Sequence, residues 1–179
     1  MGDTLITVIA IALAAVLMFV FPLMTMSDRT DDVSQLTVET ATTEFVDDVR
    51  TTGKLSMDKY SQFVEDISAT GNSYDVEMQL QVLDENPGKK TTQAEPTKIG
   101  ENVYYTMYTS QILDTINPSS GVTKTLALKE GDIFSVSVRN TNTTMSQQLK
   151  NFLYSVTGND TYVVAAEHGG IVTANGAGN

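Results

Sequence analysis

LITVIAIALAAVLMFVFPLM, residues 5–24, runs for 20 positions without a charge. As a helix it spans roughly 30 Å at about 1.5 Å per residue, the thickness of one bilayer core. The stretch has no polar face. Buried inside a soluble protein it would need a far larger domain to cover it than the 153 residues beyond position 26 can build. The reading is therefore a membrane anchor at 1–26, which excludes an ordinary soluble enzyme. A cleaved secretory signal would carry a basic start, an apolar core of about 7–15 residues and a small-residue exit. None of these is seen around residues 5–24, so the segment predicts an uncleaved, single-pass anchor. The short acid-bearing start and the acidic remainder predict a cytoplasmic N-terminus and an extracytoplasmic C-terminal domain at the cell membrane.

The remainder is acidic. All 11 Lys and Arg, and every one of the 22 acids except Asp3, lie beyond Met26, so that part carries a formal charge of −10. Such a balance excludes nucleic acid as a partner and disfavours adsorption on anionic headgroups, because both need a basic surface. The chain has no cysteine, which removes disulfides, iron–sulfur clusters and thiolate zinc sites.

Past Met26 the polarity rises sharply, yet helical spacing continues. Val38, Ala41, Phe45 and Val49 recur three and four apart, with Leu36 and Val46 alongside, and Gly53 ends the pattern. This predicts a juxtamembrane amphipathic helix over 27–53, continuous with the anchor and bent at Pro22, where a backbone N–H is missing. Ser56 caps a predicted helix to about Ser68. Tyr74, Val76, Met78, Leu80 and Val82 then alternate with polar residues, the period of a strand with one face on a core.

Residues 84–101 read as a long polar loop. The stretch 103–116 reads as an extended start followed by a short helix. Residues 122–128 and 133–139 flank Lys129-Glu130-Gly131-Asp132 and predict a hairpin. Thr143 or Thr144 begins a predicted helix through Val156, and 161–166 a last strand, with fraying after Thr173. The predicted fold class is α+β, a small antiparallel-sheet head (54–173) packed by helices above one long N-terminal helix, with a flexible tail at 174–179.

Chemistry-bearing patterns are sparse. Asp28, Asp31 and Asp32, and again Glu44, Asp47 and Asp48, stand three and four apart on the long helix. That spacing could gather oxygen ligands for calcium, but no glycine-centred loop supplies carbonyls, and a solvated acidic face able to meet basic partners is the reading adopted. His168 is the only histidine and reads as structural. Neither G-x-S-x-G nor S-x-x-K occurs, and no glycine cluster precedes a helix to hold phosphate. Asn142-Thr143-Thr144 and Asn159-Asp160-Thr161 fit the N-x-[ST] sequon. No catalytic residue, metal or cofactor is assigned.

An apolar helix running through Pro22 into VETATTEFVDDVRTTGKL (38–55), then an α+β head, resembles a type IV pilin-like subunit. The closer likeness is to TadE-like minor pilins or pseudopilins of Gram-positive Tad systems. TTEFVDDVRTTGKLSMDKYSQFVEDISATGNSYDVEMQLQV (42–82) carries it, and GDIFSVSVRNTNTTMSQQLKNF (131–152) adds the later strand-to-helix step. The resemblance implies a pilin-like fold and a processing site at Gly2-Asp3. Thr7 stands where such pilins carry a glutamate, which points to an uncleaved accessory subunit. Ala10, Ala12, Ala14 and Ala15 leave room for close helix packing in lipid. The function expected is a non-enzymatic structural subunit or assembly factor of a Tad-like pilus or secretion machine, with the membrane, other pilin-like or secretion-platform subunits, or further copies of itself as partners. The alternative is a single-pass surface module whose head captures an extracellular ligand.

Overall fold

The computed structural model describes residues 2–84, 104–118, 124–144, 148 and 165–177. The first element, α1 (Gly2–Thr52), is a single helix of 51 residues that merges the expected anchor with the expected juxtamembrane helix. It continues through Pro22, where the bend was expected, with its helical assignment unbroken. Its first half is not covered by any other described part of the chain. In the second half, Asp31, Ser34, Val38, Thr42, Phe45, Val46 and Val49 are buried, a stripe three and four residues apart that faces the head. Leu36 departs from its expected place beside that stripe. It is 64% exposed, because two residues from both Ser34 and Val38 puts it on the far side of the helix. The stop at Gly53 is as expected: its φ of 65° suits glycine, and its N–H donates to the Val49 carbonyl at 2.8 Å.

A two-residue strand β1 (Lys54–Leu55) leads into α2 (Met57–Ser68), whose start is capped by the Ser56 hydroxyl accepting from the Lys59 N–H. The alternating segment forms β2 (Tyr74–Leu83). The stretch read as an extended start and a short helix forms β3 (Tyr104–Tyr108) running directly into α3 (Thr109–Ile116). Then come β4 (Leu126–Ala127), β5 (Ile133–Asn140) and β6 (Ala165–Ile171). The main sheet has order β3-β2-β5-β6 and every pair in it is antiparallel. Its inner face presents Met78, Leu80, Phe134, Val136, Val138 and Ala166 to α1 and α2, and Phe45 stacks on Phe63 with ring centroids 4.5 Å apart. Phe134 meets Phe45 edge-on, so the same three rings join both helices to the sheet.

One expected pairing is overturned. Residues 122–128 and 133–139 do not form a hairpin: β4 pairs with β1, while β5 pairs with β2 and β6. The cause is Asp132, which is 2% exposed. Its carboxylate accepts from the Lys129 N–H at 2.8 Å and from the Leu83 N–H at 2.9 Å, and its carbonyl accepts from the Val172 N–H. The turn is thereby fastened to the ends of β2 and β6, and the chain before it is turned out of the main sheet towards β1.

The last strand runs further than the expected end at Ala166, with β6 continuing through Gly169 and Gly170 to Ile171. Both glycines lie under close neighbours, backbone and Cβ at Gly169 and the end of a flexible side chain at Gly170. A Cβ on Gly169 would lie 2.6 Å from that of Ser135, and one on Gly170 would meet the Arg50 guanidinium at 2.7 Å. The C-terminal segment is held further than expected, since Thr173 N donates to Arg50 O at 3.0 Å and Gly176 N to Leu128 O at 2.8 Å. The loop expected at 84–101 lies, except for Asp84, outside the described residues, as do 161–164 and Asn159. Of the helix expected after Thr144 only Gln148 is described, and its N–H donates to the Thr144 carbonyl at 3.0 Å.

Tyr60 on α2 packs against the core, and burial, reinforced by the negative charge of Asp75, pushes the pKa of its hydroxyl above the usual range of a phenol. The unfolded chain therefore ionises Tyr60 first. Stability is complete below about pH 10 and falls as pH rises through that range. Urea midpoints of the full chain between about pH 8 and 11 should show this decline, and Tyr60→Phe should flatten it.

Candidate functional site

The candidate surface is α1 itself, in two parts. Ala10, Ala12, Ala14 and Ala15 are all exposed on its first half. Helical geometry sorts them into two ridges on opposite sides, Ala10 with Ala14 and Ala12 with Ala15, so two helices could pack there at once. Gly2 and Asp3 open the helix, and Gly2 has open space around it. The Thr7 hydroxyl donates to the Asp3 carbonyl at 2.7 Å, and that of Thr25 to the Phe21 carbonyl at 3.1 Å. Both polar side chains are thus satisfied within the helix, which makes them compatible with a lipid surrounding. Pro22 is exposed on the same stretch.

The six carboxylates read as one acidic face are divided among three roles. Asp31 is buried at 6% exposure and accepts from the Thr144 hydroxyl at 2.8 Å. Asp47 pairs with Arg50 at 2.7 Å and lies 3.2 Å from His168 Nε2, which gives His168 its structural place between α1 and β6. Asp48 pairs with Lys59 of α2 at 2.6 Å. Asp28 is half-buried and also has a partner within the chain. Asp32 and Glu44 remain exposed, and twelve positions along a helix separate them onto different faces. Half of the set thus fixes α1 to the head. No group of three His, Asp or Glu side chains able to hold a metal occurs among the described residues.

Several contacts that attach α1 to the sheet were not legible in the sequence. Gln35 uses its amide like a strand, its Nε2 donating to the Ala165 carbonyl at 2.6 Å and its Oε1 accepting from the Ala165 N–H at 3.1 Å. Arg50 Nε donates to the Ile171 carbonyl at 3.0 Å, so α1 covers both ends of the β6 edge that would otherwise be open to pairing. The sequon at Asn142 proves to be a structural staple. Asn142 Oδ1 accepts from the Ser73 N–H, its Nδ2 donates to Asn72 Oδ1, and Thr144 is the residue bonded to Asp31.

The upper half of α1 also presents apolar residues away from the head. Met26, Val33 and Leu36 are 69%, 59% and 64% exposed, continuing the uncovered surface of the apolar half above position 24. Among the described residues one helix is long and apolar enough to cross a membrane, and its second half packs into the core of an α+β head. Compared with family models, curated proteins and solved structures, the chain matches none of them.

Proposed function

We propose that this chain is a membrane-anchored, non-enzymatic structural subunit or assembly factor of a Tad-like pilus or secretion machine. The observation that carries the reading is the continuity of α1, which is uncovered along its apolar half and belongs to the head's core along its polar half. A helix built this way transmits a lateral contact made in the bilayer to the head without a flexible joint. Apolar helices have no hydrophobic drive to associate in lipid, so the two alanine ridges supply the close packing that association needs. Above the bilayer, Met26, Val33 and Leu36 extend that surface into water, where covering them is favourable. In this reading the chain is a single-pass protein of the cell membrane with its N-terminus in the cytoplasm, its head outside and Gly2-Asp3 uncleaved. Its partners are pilin-like or platform subunits, or further copies of itself.

Residue-specific photo-crosslinking from Ala14 and Val33 in native membranes, followed by purification and mass spectrometry, tests this. Discrete adducts with pilin-like or platform proteins, or with a second copy, are expected. Crosslinks to lipid alone together with a purified stable monomer would overturn the reading, and a mature chain starting at Asp3 would overturn its unprocessed form.

A further inference from the structure

The main sheet has an outer face, turned away from α1 and α2. Register sets Tyr108, Gln79, Ser135 and Gly169 side by side across β3, β2, β5 and β6, and Glu77, Ser137 and Glu167 in the adjoining row. Strand surfaces favour β-branched and aromatic residues, yet on this face the central strands β2 and β5 carry Glu77, Gln79, Ser135 and Ser137. Ser135 and Ser137 of β5 form a low floor between Glu77 and Gln79 of β2 and Glu167 of β6, and the surface is concave there, with a volume of about 670 Å³. That lies within the range of roughly 300–1,000 Å³ found for small-molecule sites.

Thr109 at the wall is bonded to the Met78 backbone, but six other polar side chains here are unused by the fold. Among the described residues, Glu77, Gln79, Ser135, Ser137, Arg139 and Glu167 make no side-chain hydrogen bond or ion pair. By contrast, Asp132, Asn142, Asp47 and Asp48 are all bonded within the chain.

We infer that this outer face binds a saccharide unit that is neutral or bears an amine. Two carboxylates, an amide and a guanidinium are planar groups that meet neighbouring hydroxyls two at a time, and the serines of the floor add single donors and acceptors. Tyr108, 60% exposed at one wall, offers an aromatic ring to the C–H face of a sugar. Glu77 and Glu167 outnumber Arg139, and the whole chain carries −11, so phosphate and carboxylate ligands are repelled while an amine is favoured. The inference stands on the head alone and holds whether or not α1 mediates assembly.

Calorimetric titration of the full chain in nanodiscs free of glycolipid tests it with three probes: neutral tri-N-acetylchitotriose, its cationic de-acetylated form, and anionic trigalacturonate. Saturable binding of the first two is expected, with trigalacturonate at least ten-fold weaker. Ser135→Val with Ser137→Val fills the floor with good strand formers and should weaken binding at least ten-fold at an unchanged urea midpoint. Arg139→Ala, on the exposed rim, should weaken it several-fold and provides the reading if the double variant fails to fold. Glu77→Gln with Glu167→Gln should weaken the cationic probe more than the neutral one. Absence of saturable binding by the first two probes, equal affinity for trigalacturonate, or binding unaltered in folded variants of the floor and rim would overturn the inference.

Discussion

Gly53→Ala is expected to destabilise the head by about 2–5 kcal/mol, against about 1–2 kcal/mol for Gly71→Ala, as read from urea unfolding of the full chain in detergent. Both glycines have positive φ, 65° and 81°, so both substitutions force an L-residue into the left-handed region. They differ in surroundings. A Cβ on Gly71 meets nothing within 4 Å, whereas one on Gly53 would lie 2.5 Å from the Ala174 carbonyl oxygen and from the Gly176 nitrogen.

Backbone cannot rotate aside as a side chain can, so relief at Gly53 requires moving the main chain of residues 174–176. The segment it would displace is the one whose Gly176 N–H bonds Leu128 O, while Leu128 N–H bonds Gly53 O. Three segments distant in sequence therefore meet at the point where α1 ends. Out of a typical total of about 5–15 kcal/mol, the loss at Gly53 is a large share. Equal losses at the two glycines would show that the close crossing contributes nothing beyond backbone strain. Gly176→Ala provides a reciprocal test, since its Cβ would overlap the Gly53 carbonyl.

The second large effect concerns the membrane. Leu13→Arg places a charge near the middle of residues 5–24, at a site 60% exposed and uncovered by the protein. A central arginine costs about 2.5–3.5 kcal/mol on insertion scales, and adding Leu17→Arg on the neighbouring turn roughly doubles it. The single variant should lose part of its carbonate-resistant membrane fraction and the double variant most of it. The head should keep its urea midpoint in both, because Leu13 and Leu17 contribute nothing to the core. Full retention of the double variant in washed membranes would contradict the anchor reading.

These two expectations draw on different levels of structure. The apolar run, the helical spacing of Val38, Phe45 and Val49, and the alternation from Tyr74 to Val82 are local periodicities, and the elements they predict are the ones observed. Turn chemistry was also locally readable at Ser56 and Gly53, where capping and positive φ depend on the residue itself. The hairpin expectation failed because Lys129-Glu130-Gly131-Asp132 makes a tight turn whose direction depends on partners far away, Leu83 and Val172. The Gly169-Gly170 strand was hidden for a related reason, since both glycines answer to side chains on other elements.

For the candidate surface, the sequence determined that one uncharged helix stands at the start of an acidic chain, because length and polarity add residue by residue. It could not assign the carboxylates. Asp31, Asp47 and Asp48 carry the same charge and similar spacing as Asp32 and Glu44, and only their positions against Thr144, Arg50, His168 and Lys59 remove them from the acidic surface. The outer-face concavity likewise exists only once register aligns Ser135, Ser137 and Gly169 across strands. Helix formation is a local property of the chain. Which face a charge serves is fixed by tertiary contacts, 113 residues away for Asp31 and 121 for Asp47, and with Lys59 of α2 for Asp48, and those are decided by the packing of α1 on the head.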